Sequence, residues 1–345
     1  MPSLFKTRGE CVGSELAALK SGSKSPHSKM TKFRILLAII AASAVAFGLL
    51  RTKHESQRQT PGKLRIVSLA PNVTEILFAL DLGDQIVGVT DRCNYPPAAK
   101  EIQQASGFGT PNVEKLLMLG PDMVIACGLE KPEFTEVLWQ AGIRVVNVQP
   151  TGFMASFPEL FDAVRQIGEA TGRSTEANKL IADMQAELNA MAARVDRIDD
   201  TQRPRVFVEL EESPLMTAGA GSFIDDLIRR AGGRNIAHEI STAYPRIDPE
   251  KVIAWNPDLI LVAHSDHPGE AAERLARHIG WSDVAAVRDR RVIDDIDADL
   301  LFRPGPRLVD GVKALAARLH PTHLPSPFTP HAPRPTPHAR LRVSE

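Results

Sequence analysis

The chain has 345 residues, of which 24% are charged, and its formal net charge at pH 7 is -1. This length accommodates one large domain or two ordinary ones with buried cores. The near-neutral charge balance gives no electrostatic reason to bind nucleic acid or an anionic membrane surface.

The N-terminal sequence predicts an export signal. Residues 35–50 form an uncharged, largely apolar run, and Lys29, Lys32 and Arg34 precede it. A basic segment followed by an apolar one is typical of a secretory signal. Residues 44–46 offer a small-x-small cleavage pattern, but the apolar run continues past it, so an uncleaved signal anchor in the cytoplasmic membrane is an equal alternative. Either reading predicts a periplasmic or otherwise extracytoplasmic location.

Short apolar runs alternate with amphipathic segments after residue 62, which is the pattern of an α/β domain with a largely parallel sheet. Residues 64–69 predict the first buried strand. The predicted elements that follow are a helix at 74–80, a strand at 86–89, a helix at 113–119, a strand at 123–126, a helix at 134–140 and a strand at 143–148.

A helical linker is predicted next. Residues 157–198 have no proline after Pro158 and carry apolar residues at helical spacing, with Gly168 and Gly172 as points where the helix could break. Strand-like sequence resumes at 205–210. We therefore predict a polar extension at 1–29, a signal peptide or anchor at 30–50, an α/β lobe at 63–153, a linker helix at 154–200, a second α/β lobe at 203–320 and a proline-rich, disordered tail at 321–345.

The two predicted lobes share a sequence pattern. Residues 112–126 read NVEKLLMLGPDMVIA and residues 248–262 read DPEKVIAWNPDLILV, so Glu114 aligns with Glu250. Each copy reads as a helix opened by Asn or Asp, closed near Gly or Asn, and turned by proline into a strand. Because ligands of open parallel sheets bind beyond the carboxyl ends of the strands, two facing lobes predict a ligand cleft between them.

Motifs for catalysis or for a metal centre are missing from the sequence. It contains no phosphate-binding loop, dinucleotide fingerprint, nucleophile elbow or H-E-x-x-H, so we predict neither an enzyme nor a cofactor. His264, Asp266 and His267 could ligate a metal, but loosely spaced loop histidines are more simply surface residues. Cys93 and Cys127 either pair in an exported protein or stay as thiols, and we favour thiols.

The segment RIVSLAPNVTEILFALDLGDQIVGVTDRCNYPP resembles the cobalamin-binding component of ABC importers. More broadly, it is similar to the periplasmic binding proteins for cobalamin, haem and ferric siderophores. Further similar segments are NVEKLLMLGPDMVIA, AGAGSFIDDLIRRAGGRNIA, YPRIDPEKVIAWNPDLILV and RPGPRLVDGVKALA, so the resemblance covers residues 63–320.

The resemblance implies two Rossmann-like α/β lobes with mainly parallel sheets, a long helical linker and a ligand cleft between the lobes. It also implies that the chain captures cobalamin or a related corrinoid and delivers it to a permease dimer with its ATPase subunits. A haem or ferric-siderophore carrier of the same superfamily is the first alternative. An envelope enzyme built on duplicated α/β lobes is the second, and turnover of a bound ligand would distinguish it.

The resemblance also implies ligand contacts from both lobes, because aromatic residues contact the corrin in cobalamin-binding relatives. The implied contacts are Tyr95, Phe108, Tyr244, Asp299 and Phe302. Arg92 departs from the pattern, since relatives often carry an aromatic residue there, and Leu300 also replaces an aromatic one. A guanidinium at residue 92 suits an acidic ligand such as a ferric siderophore or the propionates of haem.

Glu114 and Glu250 are the implied permease-docking residues. Carboxylates are favoured in the first turn of any helix by the helix dipole. That preference explains one glutamate well, but it explains less well why both lobes carry one at the same place. In the resembling proteins, glutamates at the matching positions meet arginines on the two permease subunits.

Overall fold

A computed structural model describes residues 63–107, 109, 111–128, 132–149, 156–263 and 269–324. The predicted N-terminal extension, the signal segment and most of the predicted tail lie outside the described residues. Within the described ranges, no helix combines the length and the apolar character needed to cross a membrane.

The first lobe is a five-stranded parallel sheet with helices between its strands. It contains β1 (Ile66–Ser68), α1 (Pro71–Ala79), β2 (Ile86–Thr90), β3 (Gln104–Ser106), α2 (Val113–Leu119), β4 (Met123–Cys127), α3 (Pro132–Gln140) and β5 (Arg144–Val148). The strand order is β3-β2-β1-β4-β5. The direction of winding reverses between β1 and β4, where doubly wound sheets open a crevice for ligands.

Two helices, α4 (Phe157–Thr171) and α5 (Ser174–Val195), follow the first sheet. Ser156 opens α4 with a capping box, in which its hydroxyl accepts from the Glu159 N–H while the Glu159 carboxylate accepts from the Ser156 N–H. Gly172 ends α4 in a left-handed conformation with φ 72°. The linker is therefore a pair of packed helices, broken at one of the two glycines that the sequence indicates, and not one continuous helix.

The second lobe repeats the core of the first. It contains β6 (Arg205–Glu209), the hairpin β7 (Glu211–Glu212) and β8 (Leu215–Met216), α6 (Phe223–Arg230), β9 (Arg234–Asn235), α7 (Pro249–Trp255), β10 (Leu259–Val262), α8 (Ala271–Leu275), α9 (Ala285–Arg288), β11 (Val292–Ile293), α10 (Ala298–Phe302) and α11 (Leu308–Leu319). Its parallel sheet has the order β11-β10-β6-β9. This matches β5-β4-β1-β2 of the first lobe, and α7 precedes β10 as α2 precedes β4, so the two sequence copies occupy equivalent elements.

A continuous apolar layer joins the two lobes. Ile66 and Ile76 of the first lobe, Leu188 of the linker, and Val206 and Leu315 of the second lobe belong to one buried cluster. Separate buried clusters cover the outer face of each sheet. Moving the lobes apart would expose the shared layer to water, with a free-energy cost of about 25 cal/mol for each Å² of apolar surface exposed. The predicted fold class, two parallel α/β lobes joined by a helical linker, is confirmed.

The close packing of α4 on α5 depends on Gly168. A Cβ built at this residue would lie 2.4 Å from the Cβ of Ala177, so Gly168→Ala must push the two helices apart. We expect a loss of roughly 1–2 kcal/mol in the free energy of unfolding, measured by chemical denaturation. Ala177→Gly restores the space, so the double variant should lose less stability than the sum of the two single variants. Additive losses would contradict the contact.

Candidate functional site

Loops that follow the strands of one lobe contact loops that follow the strands of the other. In the first lobe, β1 leads into α1 and β2 leads into residues 91–96; in the second lobe, β11 leads into residues 294–307. Side-chain hydrogen bonds join these segments across the lobes. The contact lies at the carboxyl edge of both parallel sheets, which is the edge where such sheets bind ligands.

A buried carboxylate lies at the centre of this contact. The Glu75 side chain on α1 is only 2% exposed, yet it is paired with two arginines of the other lobe. Arg307 donates from Nη2 to Oε1 at 2.6 Å and from Nε to Oε2 at 3.0 Å, and Arg303 donates from Nη1 to Oε1 at 3.0 Å. Forked donation to both carboxylate oxygens fixes orientation as well as charge.

Asp299 is held by residues from both lobes. Its Oδ1 lies 2.7 Å from Arg303 Nη2, and its Oδ2 accepts from Asn94 Nδ2 at 2.8 Å. Arg303 Nη1 also donates to Asn94 Oδ1 at 2.7 Å. Asp299 thus closes a ring of hydrogen bonds across the lobes, and 31% of its side chain stays exposed.

Tyr95 joins the same contact through its ring. The Arg307 guanidinium carbon lies 3.8 Å from the ring centroid, which is a cation–π contact. One face of the ring therefore packs against the other lobe. We call Glu75, Asn94, Tyr95, Asp299, Arg303 and Arg307 the interlobe cluster.

Two other implied contacts, Tyr244 and Phe302, are half-buried and pack against the central apolar layer. The Tyr244 hydroxyl is buried, and it lies beside the backbone of Phe223 at the start of α6. The hydroxyl is thereby directed inward, which leaves the partly exposed ring as the surface that Tyr244 offers to a ligand.

Arg92 and Phe108 complete the set of implied ligand contacts. Arg92 follows β2, its side chain is exposed, and no carboxylate in the described ranges forms an ion pair with it. Phe108 lies outside the described residues, as do the histidines at 264 and 267. In the parts of the chain that are described, no three His, Cys, Asp or Glu side chains are grouped to hold a metal ion.

The two docking candidates occupy equivalent positions. Glu114 and Glu250 are exposed in the first turns of α2 and α7. Asn112 caps α2 by accepting from the Lys115 N–H at 3.0 Å. Asp248 occupies the same position before α7, but its side chain makes no capping hydrogen bond. The aspartate therefore marks the start of the second helix without capping it as the sequence pattern predicts.

The opposite ends of α2 and α7 are held by equivalent arginines. Arg65 donates from Nη2 to the Leu119 carbonyl at 2.7 Å and from Nε to the Gly120 carbonyl at 3.1 Å. Arg205 donates from Nη2 to the Trp255 carbonyl at 2.5 Å and from Nη1 to the Asn256 carbonyl at 3.2 Å.

The backbone around these arginines is duplicated as well. Asp122 and Asp258 accept from the backbone N–H of Arg65 and Arg205, at 2.9 Å and 2.8 Å. Gly120 and Asn256 both adopt left-handed φ, 54° and 44°. These contacts fix the end of each helix to a central strand of its own sheet. Glu114 and Glu250 are therefore held by equivalent structural frames, one in each lobe.

A cavity of 540 Å³ opens elsewhere, at the amino edge of the second sheet. Arginines and acidic residues line it together. Arg205 and Arg234 in its wall bond backbone carbonyls, and Arg229 pairs with Asp226. Its cations are thus already engaged, and it lies on the opposite edge from the interlobe cluster, so we do not assign the ligand to it.

Sequence reasoning missed Glu75, Asn94, Arg303 and Arg307. One local signal was available in the sequence, because Glu75 is the single charged residue in the mostly apolar helical segment NVTEILFAL. The structure shows that this residue is buried. A buried carboxylate requires a cationic or hydrogen-bonding partner. The sequence does not indicate which arginine supplies it. Cys93 and Cys127 are separate thiols, as favoured above.

Comparisons with known proteins agree on one family. The model of the periplasmic binding protein family matches residues 66–298. An uncharacterized ABC transporter substrate-binding lipoprotein of Bacillus subtilis is 33% identical over 261 residues, which cover 74% of this chain and 80% of the relative.

Solved structures give the same fold. The periplasmic vitamin B12 binding protein of Vibrio cholerae superposes with a TM-score of 0.60 at 29% identity, covering 74% of this chain and 96% of the other. A periplasmic heme-binding protein from Roseiflexus superposes with a TM-score of 0.64 at 29% identity, covering 75% and 99%.

Tyr244 gives a pH-dependent test of this geometry. Burial raises the pKa of Tyr244 to about 12, although the nearby Phe223 backbone lowers it in part. Since tyrosine has a pKa near 10 in an unfolded chain, the unfolded state loses this proton first as the pH rises. The stability that Tyr244 contributes is therefore complete below about pH 10 and is lost towards pH 12.

We expect wild type to lose more unfolding free energy than Tyr244→Phe between pH 10 and 12, as measured by denaturant titration. The chain has only two tyrosines, so the difference in tyrosinate absorbance between the two proteins isolates residue 244. A Tyr244 that ionises near pH 10 would contradict the inward placement of its hydroxyl.

Proposed function

Because the chain belongs to the periplasmic binding protein family, we propose that it is the extracytoplasmic substrate-binding component of an ABC importer that carries cobalamin. The coarser assignment, a solute-binding transport protein of the cobalamin, haem and siderophore group, follows from its relatives. A role in transport implies a permease dimer and its ATPase subunits as partners.

The duplicated frame of α2 and α7 carries the transport proposal. Glu114 and Glu250 stand at equivalent positions, on helices whose far ends are clamped by Arg65 and Arg205. Two separated carboxylates held in this way match a partner that is itself two-fold symmetric. Arginines on that partner would bind each carboxylate through their forked donors.

The interlobe edge supports a ligand with a large flat face and polar groups at its periphery. Tyr244 and Phe302 offer half-buried aromatic surface there, and Asp299 offers a fixed carboxylate. Aromatic faces suit the plane of a macrocycle, and a carboxylate accepts hydrogen bonds from amides such as those at the periphery of a corrin. We propose that the ligand lies against these residues together with Phe108 and Tyr95.

Arg92 supports haem as a second candidate ligand. Its exposed guanidinium, which pairs with no carboxylate in the described ranges, would bind the propionate of a haem or an acidic siderophore. A corrinoid with neutral side chains would gain less from it. The two candidates therefore differ in how far they depend on this one residue.

A binding screen decides between the ligands. We expect the purified chain to bind cobalamin more tightly than cobinamide, haemin or a ferric siderophore, as measured by calorimetry and absorbance. Replacing Phe108 and Tyr244 together by Ala should weaken cobalamin binding at least about tenfold, because each ring contributes roughly 1 kcal/mol or more. Trp139→Ala, which removes an exposed ring on α3, is the control and should leave the affinity unchanged.

Haem would replace cobalamin in this proposal if wild type bound haemin but not cobalamin and if Arg92→Ala weakened the binding of haemin. Unchanged cobalamin titrations in the double aromatic variant would place the ligand elsewhere in the protein.

Charge reversal tests the docking role. In a strain that depends on this importer, Glu114→Arg with Glu250→Arg should abolish uptake, because like charges would meet at both docking points. Ligand affinity and melting temperature should stay near those of wild type, since both side chains are exposed. The matched control is Glu136→Arg with Glu273→Arg, which changes the net charge equally, with one exposed glutamate in each lobe.

Normal uptake by the docking variant would refute the docking role. Loss of folding in that variant alone would instead assign Glu114 and Glu250 to the stability of their helices.

A further inference from the structure

The side-chain hydrogen bonds of the interlobe cluster converge on one residue that a ligand cannot reach. We infer that Glu75 is a positioning residue of the ligand cleft: through Arg303 and Arg307 it fixes Asp299 and Tyr95, a candidate ligand contact from each lobe, relative to one another. The inference rests on the proposed function, because it assigns to Glu75 a part in binding the same ligand.

Glu75 is placed for this role by its burial. Its side chain is 2% exposed, whereas Asp299 is 31% exposed. It belongs to α1, directly after the central strand β1, so its own position is set by the core of the first lobe. Both of its oxygens are occupied by guanidinium donors from the second lobe, which leaves Glu75 no direct contact with a ligand.

Two paths lead outward from Glu75. In the first, Arg303 bonds Glu75 with Nη1 and holds Asp299 with Nη2, so the plane of one guanidinium sets the position of that carboxylate. In the second, Arg307 bonds Glu75 through Nε and Nη2 while its guanidinium covers the ring of Tyr95. A change at Glu75 is thus transmitted to both lobes at once.

The loop that carries the two arginines fits closely over Glu75. Gly305 lies between them, and a Cβ built there would be 3.1 Å from Glu75 Oε2. Burial alone would lower the pKa of Arg307, but the hydrogen bond and the charge of Glu75 outweigh that effect and raise it. Glu75 therefore favours the charged form of Arg307.

A purely structural ion pair would also stabilise the fold, so the test must measure more than stability. Glu75→Gln keeps the shape of the side chain, removes its charge and turns one acceptor into a donor that faces a guanidinium. Arg307→Lys keeps the charge but loses the fork and the flat surface over Tyr95. The lysine variant is milder and serves if the glutamine variant does not fold.

The matched control is Glu209→Gln. Glu209 is fully buried and paired with Arg274, but both residues belong to the second lobe. This control removes a buried carboxylate from an arginine pair without touching a contact between the lobes, so it reproduces the loss of stability alone.

The first measurement needs no ligand. In hydrogen exchange on the full, ligand-free chain, we expect Glu75→Gln to accelerate exchange about tenfold in both residues 91–97 and residues 294–307, which corresponds to about 1.4 kcal/mol. Glu209→Gln should leave residues 91–97 at the wild-type rate. Unchanged exchange, or acceleration in one lobe only, overturns the inference.

The second measurement uses cobalamin as the probe. We expect Glu75→Gln and Arg307→Lys to release cobalamin about tenfold faster, with an association rate within about threefold of wild type, because the bound geometry is loosened while access is not. Glu209→Gln should release it at the wild-type rate. Equal release rates from wild type and the three variants refute the positioning role. If wild type binds no cobalamin, the proposed ligand is refuted, and the hydrogen-exchange result alone decides the inference.

Discussion

The burial of one carboxylate between the two lobes constrains the rest of this structure. A buried charge without partners is costly, and removing one partner from a buried ion pair costs roughly 3–5 kcal/mol. Glu75 belongs to the first lobe, but its partners Arg303 and Arg307 belong to the second. The first lobe therefore satisfies its own buried charge only when the second lobe is in place. The shared apolar layer through α4 and α5 favours the same arrangement for an independent reason.

This arrangement favours a cleft that is largely formed before the ligand arrives. The proposed ligand contacts Asp299 and Tyr95 already have partners from the opposite lobe, so in this proposal they lose little side-chain freedom on binding. Binding energy then goes to contacts with the ligand and less to ordering the protein. The linker adds stiffness because α4 and α5 approach closely at Gly168, whose missing side chain permits their contact.

The repeated helix-strand units, α2 with β4 and α7 with β10, place Glu114 and Glu250 at equivalent positions in the two lobes. In each lobe an arginine at the start of a central strand reaches the last carbonyls of a neighbouring helix, and a Pro-Asp pair returns the chain to the sheet. The helix is thereby tied to the strand at one end and exposes its glutamate at the other. Because both sheets share the same strand order around their central strands, both glutamates occupy equivalent positions relative to their own sheets.

The sequence by itself determined the features that depend on neighbours along the chain. Apolar patterns located α1, α2 and α3, four of the five strands of the first lobe, and β6 and β10 of the second, but they did not indicate β3. Glycine marked the break in the linker, and the repeated Glu-Lys and Pro-Asp pairs identified equivalent helices. Only the tertiary structure showed that Glu75 meets Arg303 and Arg307, which lie 228 and 232 residues away. The spacing of charged residues along the chain does not reveal which of them pair, so any of the chain's arginines could have been the partner of Glu75. Tyr95 and Asp299 were singled out by sequence resemblance, but their contacts between the lobes follow from that distant pairing, because side chains far apart in sequence become neighbours only when both sheets have formed and packed on the shared layer.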